Sequence, residues 1–345
     1  MINKKSCLII LEYGIPHYRD FLFDNFKKSF KSFKIIHSGE RFENNQKFIA
    51  HKGLNINMYG PFSIVFFNPF RLLKADVIIS TFNIFKPHTW IWILLMPWKN
   101  WILWGQGIGN SNFKPLIIFR KFIINLSRGY VVYTEQGKQK LINNKIDESK
   151  ITVAGNTLLV KNHKITNGSA YFLYVGRLQE RKGLEKAINI CIDLKLNLVI
   201  VGDGELKEDL KKKYTPNRNI IFYGSIYDED RLRNLFGDAV AYISPDHVGL
   251  GVVHSFAYGV PVITNRNANH APEFAYCNDC NSYLYEKDEE LQETMREAYQ
   301  NKVKRKQKSE AAYSYFLKKL SSESMIKSFE VHFNKIFNET NHTIL

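Results

Sequence analysis

The sequence predicts an α/β protein built from two doubly wound parallel-sheet domains. Short apolar runs of strand type alternate with helical patterns through both halves of the 345 residues. The segments between runs are long enough for right-handed helical crossovers, as parallel strands require. A polar stretch, "KNHKITNGSA" (161–170), separates the two halves and reads as a linker.

In the first half the strand-type runs are "CLIIL" (7–11), "FKIIH" (33–37), "DVIIS" (76–80), "WILW" (101–104) and "YVVY" (130–133). Helical patterns lie between them at 17–32, 87–96 and 113–127. The second half repeats the scheme with "YFLYV" (171–175), "NLVIV" (197–201), "IIFY" (220–223), "VAYIS" (240–244) and "PVIT" (261–264). The last 35 or so residues are amphipathic helix. The expected division is a first domain over 1–160, the linker, a second domain over 171–308, and terminal helices over 309–345 that partly pack on the first domain. Two such domains place a cleft at the carboxyl ends of their strands, where ligands of doubly wound folds bind.

Composition narrows the function. Hydrophobic residues at 45% exclude a disordered chain. Four cysteines in this length form no disulfide framework and point to a reducing compartment. Cys277 and Cys280 have a metal-like spacing, but no second pair completes a zinc site. No signal peptide is expected, because Met1 to Lys5 leads directly into a strand. The first 150 residues hold 22 Lys+Arg against 9 Asp+Glu, so +13 of the total +15 lies there and +2 in the remainder. Such asymmetry implies an anionic partner for the first half: nucleic acid, a membrane surface or an acidic substrate.

Three stretches of the second half fall on the same edge of its sheet. "VGRLQERKG" (175–183) follows the first strand and carries Arg177 and Lys182; "VGDGE" (201–205) follows the second, with a tight turn at Gly202 and Gly204. "DHVGLGVVHSFAYGVPVI" (246–263) follows the strand 240–244 and opens a helix with Gly249, Leu250 and Gly251. Free backbone N–H groups at a helix start, with two cations beside them, suit a diphosphate. The plainer alternative is a strand–turn–helix whose glycines only permit packing; it leaves Asp246 and His254, eight positions apart, without a reason.

"GRLQERKG", "VGDGELKEDL", "FYGSIYDEDRLRNLF", "SPDHVGLGVVHSFAYGVPVI" and "APEF" resemble, in order and spacing, the donor domain of the retaining family 4 glycosyltransferases. The resemblance is specific over about 171–285 and loose over the first half, where "YGIPHYRDFLF" (13–23) stands at that family's first glycine-containing loop, with Gly14. It implies the GT-B architecture: two Rossmann-like domains, a nucleotide-sugar between them and a C-terminal helix returning to the first. It implies that Arg177 and Lys182 grip the donor diphosphate, that Gly249, Leu250 and Gly251 offer N–H groups to phosphate and sugar, and that Gly224 lies by the nucleotide. Asp246 and His254 occupy the two ends of the family's E-x7-E motif, so Asp246 would lie by the transferred sugar and His254 by the ribose. His254 departs from the family's acid, yet a neutral imidazole nitrogen accepts a hydroxyl proton. Glu273 in "APEF" matches a further family glutamate or caps a helix.

The resemblance also implies that the leaving phosphate assists the acceptor, with no carboxylate nucleophile, no metal and no cofactor. Many relatives carry a His in the loop where "WGQG" (104–107) has Gln106; His17 in the first loop could substitute, or be a surface residue. "HTWIWILLMPW" (88–98) is too short to span a bilayer. "FKPLIIFRKFIINLSR" (113–128) mixes Phe and Ile with Lys114, Arg120, Lys121 and Arg128, as does a helix lying on an anionic membrane. The expected partners are therefore a UDP-, GDP- or dTDP-sugar, a lipid-linked saccharide acceptor and the cytoplasmic face of the membrane. A nucleic-acid binder, for which no reading module is present, and a GT-B relic without catalysis are the alternatives.

Overall fold

The computed structural model describes residues 2–39, 47–58, 60–109, 113–166 and 168–342. The chain divides into two units, 1–155 with 322–345 and 156–321. The final helix thus belongs with the first half of the chain.

The first unit contains β1 (Ser6–Ile10), β2 (Ser32–His37), β3 (Ala50–Lys52), β4 (Leu54–Asn57), β5 (Ser63–Phe66), β6 (Val77–Thr81), β7 (Asn100–Gly105), β8 (Gly129–Val132) and β9 (Ile151–Val153). Seven of these form a parallel sheet in the order β3-β2-β1-β6-β7-β8-β9, while β4 and β5 pair separately as an antiparallel hairpin. Alternation along the strands feeds two cores. On one face Ile9, Ile35, Ile79 and Trp104 lie under the helices Asp20–Ser29 and Ser322–His342, with Phe26 5.3 Å from Phe329 and 5.4 Å from Phe333. On the other, Leu8, Ile10, Trp101 and Tyr130 lie under Phe70–Leu73, Ile91–Leu95 and Lys114–Leu126.

Some expected elements are shorter than the pattern suggests. The helix expected over 87–96 is a 3₁₀ turn, Pro87–Thr89, followed by Ile91–Leu95. It stops because Met96 precedes Pro97 and is driven out of the helical region, to φ −135°. Over 17–32 the helix itself occupies Asp20–Ser29 after a 3₁₀ turn at His17–Arg19.

The second unit contains β10 (Tyr171–Val175), β11 (Leu198–Val201), β12 (Ile220–Gly224), β13 (Ala239–Ile243), β14 (Val262–Asn265) and β15 (Ser282–Tyr285). They form a parallel sheet in the order β12-β11-β10-β13-β14-β15. After β10 the chain builds outward through β11 and β12, then returns to the other side of β10 with β13. The carboxyl ends of β10 and β13 therefore border the topological switch point, where doubly wound sheets bind ligands.

Two glycines hold these loops at backbone contact. A Cβ on Gly202 (φ +143°) would lie 1.8 Å from the Gly176 carbonyl oxygen, and one on Gly204 (φ +158°) 2.4 Å from that of Leu178. Gly202→Ala should therefore lower unfolding stability by about 2 kcal/mol or more, strain and steric clash together. Urea denaturation of the variant checks this; an unchanged midpoint would mean that the loops separate freely.

Candidate functional site

The residues around the switch point converge on a small, positively charged surface. Lys182 closes a 3₁₀ turn, Glu180–Lys182, and its Nζ donates to the His247 carbonyl at 2.9 Å. Gly183 (φ +62°) turns the chain from there into the helix Leu184–Asp193. The Lys182 ammonium is pushed down to about 8, first by burial and then by the neighbouring guanidinium of Arg181, with a smaller contribution from Arg177; Glu273 acts in the opposite sense. Arg177 is exposed, and its guanidinium has no partner among the described residues. Two buried tyrosines fix the loop that carries it: Tyr174 donates to the Arg177 carbonyl at 2.6 Å and Tyr242 to that of Val175 at 3.2 Å.

On the loop after β13, which Lys182 contacts through His247, Gly249 and Leu250 lead into the helix Gly251–Ala257. The amides of Gly249, Leu250 and Gly251 bond to no group among the described residues, and all three residues are half-buried. Gly251 must lack a side chain, since a Cβ would sit 2.3 Å from the Tyr242 hydroxyl. Cations and free amide donors on two loops joined by the Lys182–His247 hydrogen bond are what a dianion requires.

Asp246 lies at the edge of this cradle. Its carboxylate is paired with Lys186 at 2.8 Å, which also reaches Asp288 at 2.7 Å. It packs so closely on Gly183 that a Cβ there would be 2.2 Å from Oδ2. His254 stacks on Phe236, with ring centroids 5.9 Å apart. Its Nε2 is buried without a hydrogen-bond partner, 3.8 Å from Glu229 Oε1. Glu273 is buried and accepts a hydrogen bond from the Asn156 side chain; it stands in the first turn of Pro272–Tyr276, which has no side-chain cap. Gly224 ends β12 at φ +71° with open space where a Cβ would be.

Two histidines that the sequence reading left unassigned complete the site. His270 Nδ1 accepts from the Val248 amide at 3.2 Å, its Nε2 donates to the Asn265 carbonyl, and its ring stacks on Phe274 with centroids 4.1 Å apart. His247 donates from Nδ1 to the Asn269 carbonyl, which leaves Nε2 as an acceptor. Both are held below the usual imidazole range, chiefly by burial. Their only sequence signal was their place beside "GLG" and before "APEF".

In the first unit, His17 is exposed on the 3₁₀ turn after β1, Gly14 is buried in that loop, and Gln106 is exposed after β7 between Gly105 and Gly107. Arg19, not singled out in the sequence, is buried with its guanidinium 4.7 Å from the Trp104 ring. Arg120 is not a surface cation: it donates to the Ile108 carbonyl at 2.8 Å. Among the described residues no three His, Cys, Asp or Glu side chains gather to hold a metal ion.

Residues 156–315 match the family model of glycosyl transferases group 1. Protein CapJ of Staphylococcus aureus is 31% identical over 104 residues, 29% of this chain and 26% of CapJ. D-rhamnosyltransferase WbpZ of Pseudomonas aeruginosa is 29% identical over 106 residues, 29% of this chain and 28% of WbpZ. The matches thus span only about a quarter of each curated relative. Among solved structures, Anabaena HepE in complex with UDP superposes with a TM-score of 0.73 at 12% identity, covering 96% of this chain and 99% of HepE. The fold is GT-B. The family match and the relatives support glycosyltransferase activity.

The state of Lys182 gives a pH dependence. A bound dianion raises the ammonium pKa above its free value of about 8, so affinity is highest below pH 8 and falls as the free ammonium is lost above it. Titration calorimetry with a nucleoside diphosphate at pH 8 should show proton uptake on binding, read from two buffers of different ionisation heat. Lys182→Met should abolish that uptake.

Proposed function

We propose that this chain is a retaining, metal-independent family 4 glycosyltransferase that moves a hexosyl-type sugar from a nucleotide-sugar to a lipid-linked saccharide. The observation that carries the reading is the cradle at the β10/β13 switch point: Arg177 unpaired, Lys182 half-buried beside Arg181, and three unpartnered amides at 249–251. A diphosphate satisfies all of them together, and stabilising it as it departs is the main electrostatic task of such a transfer. HepE was crystallised with UDP, and WbpZ is a D-rhamnosyltransferase, which supports a nucleotide-sugar donor and a role in building surface polysaccharide such as O-antigen or capsule.

In this reading the carboxylate of Asp246, neutralised by Lys186, lies beside the transferred sugar, His254 faces the ribose and Gly224 the base. Gln106 and His17, on exposed loops at the carboxyl ends of the first sheet, serve the acceptor, with Gly14 in the same loop and Glu273 holding the donor loops. The enzyme works on the inner face of the cell membrane. The helix Lys114–Leu126 favours this: Ile118 and Phe122, one turn apart, are 67% and 52% exposed beside Lys114 and Lys121. No helix among the described residues is long and apolar enough to cross a membrane.

The deciding experiment is turnover of a panel of UDP-, GDP- and dTDP-sugars, with free nucleoside diphosphate binding measured beside it. Arg177→Ala and Lys182→Ala should each weaken diphosphate binding by roughly tenfold or more, since each leaves a phosphate charge unpaired. Activity should persist in excess EDTA. Absence of turnover with every donor, or diphosphate affinity unchanged in both variants, would overturn the reading.

For His254, the unpartnered Nε2 predicts that a replacement able to accept a hydroxyl proton outperforms an apolar one. Donor KM for His254→Glu should stay several-fold below that for His254→Leu. Equal values would make the ring a packing element against Phe236.

A further inference from the structure

The two faces of the first sheet differ in what they show to solvent. The helices Asp20–Ser29 and Ser322–His342 contribute Val331 alone to the large apolar side chains exposed among the described residues. The opposite face is apolar outside as well as inside: Phe70, Leu73, Leu95, Trp98, Ile118 and Phe122, on or beside its three helices, are 67, 47, 56, 66, 67 and 52% exposed. A helix layer that is apolar on both sides has a second partner.

A cleft of about 280 Å³ opens next to this layer, at the amino ends of β1 and β2, and is lined in part by Ser32, Lys34, Asn68, Phe70, Arg71 and Lys74. It lies at the end of the sheet opposite the loops that hold His17 and Gln106. Lys34, Arg71 and Lys74 have no carboxylate partner among the described residues. Arg71 instead donates to His51 Nε2 at 2.6 Å, and the ring is kept from protonating by burial and by the charges of Arg71 and Lys34. The acid nearest in sequence, Asp76, is engaged by the Ser6 amide and hydroxyl, each at 2.7 Å. Three uncompensated cations around a cleft, with an exposed Phe on its rim, fit an anion that carries hydrocarbon.

We propose that this cleft binds the phosphate of an anionic lipid headgroup, with Phe70 and Leu73 entering the acyl boundary and the apolar helix layer lying on the bilayer. A phosphate placed there meets Lys34, Arg71 and Lys74 together, and Ser32 supplies a hydroxyl. Charge complementarity selects a bilayer as the occupant: the layer is bordered by the exposed or half-exposed Lys74, Lys114 and Lys121, and the first 150 residues carry a net +13. Basic side chains near an anionic surface add their attractions, and the apolar side chains supply the rest. The inference rests on the membrane reading above, but its site is separate from the donor cradle.

Co-sedimentation of the full chain with phosphatidylcholine vesicles, with and without phosphatidylglycerol, tests it at low salt. The wild-type chain should bind the phosphatidylglycerol vesicles, and Arg71→Glu, and the exposed-site variants Lys74→Glu and Phe70→Ser, should each weaken that binding by about tenfold. Their affinity for free nucleoside diphosphate should be unchanged. Vesicle binding that all three variants retain, including the case where only Lys114→Glu/Lys121→Glu reduces it, overturns the proposal. So does a chain that ignores vesicles while inorganic phosphate shifts the His51 ring resonances, which would make the cleft a free-phosphate site. Loss of diphosphate binding in a chain that still obeys the vesicle pattern would remove the donor reading alone.

Discussion

The hydrogen bond from Lys182 Nζ to the His247 carbonyl ties together the two loops that form the candidate site. The loop after β10 and the loop after β13 diverge in sequence by some 65 residues, and the sheet order brings only their strands together. A second link, from the Asp246 amide to the Lys182 carbonyl at 3.3 Å, makes the join two-sided. Once the loops are tied, Lys182 is held half-dry beside other cations and the amides of 249–251 remain unused. Both groups are then placed before any ligand arrives, which is the preorganisation that makes a charged site effective.

The surrounding groups keep this charge from being cancelled. Asp246 lies on the loop after β13, and its pairing with Lys186 draws its negative charge toward the helix Leu184–Asp193. His247 and His270 are locked by backbone partners in single tautomers, and burial favours their neutral forms. The positive potential of the cradle therefore comes from Arg177, Arg181 and Lys182, while His247 Nε2 contributes a neutral acceptor at its border. An imidazole that accepts and cations that donate can serve different parts of one ligand, a hydroxyl and a phosphate.

The fold and the loops at the β10/β13 switch point were readable because both rest on local signals. Apolar runs of four or five residues between helical patterns gave ten of the strands within a residue or two, and Gly-containing turns marked the loops at the sheet's edge. The strands missed, β3, β9 and β15 among them, are three or four residues long, too short for a period to register. The hairpin β4–β5 was missed although "LNIN" (54–57) alternates, because four residues are too few for the pattern to register; Leu54 and Phe66, opposite one another, are both exposed. Arg177, Lys182 and 249–251 were legible through spacing and resemblance. The buried Arg19, the His247 and His270 tautomers and the Asp246–Lys186 pair were not, since each is defined by a partner distant in sequence or by a backbone carbonyl. The helix expected over 113–127 was right in extent, but which of its cations face outward depended on Arg120 finding the Ile108 carbonyl.

The cations of the two halves of the chain would attract an anion by different physics. In the second half several cations outside the cradle pair with acids: Lys207 with Asp203, Lys213 with Glu185, Arg233 with Asp230, Arg266 with Asp279 and Lys304 with Glu297. Its net charge of +2 therefore hides a local site where Arg177, Arg181 and Lys182 gather. Attraction there acts at contact distance in a partly dry gap, where salt screens little. The first 150 residues have more than twice as many cations as acids, so most stay unpaired and act as a summed field over the surface. Such a field decays within a Debye length of about 8 Å at physiological salt and weakens as ionic strength rises. A ligand in the cradle would thus be less sensitive to ionic strength than a partner held by the basic half, so in the proposed reading salt adjusts the hold on an anionic surface more than the hold on the donor.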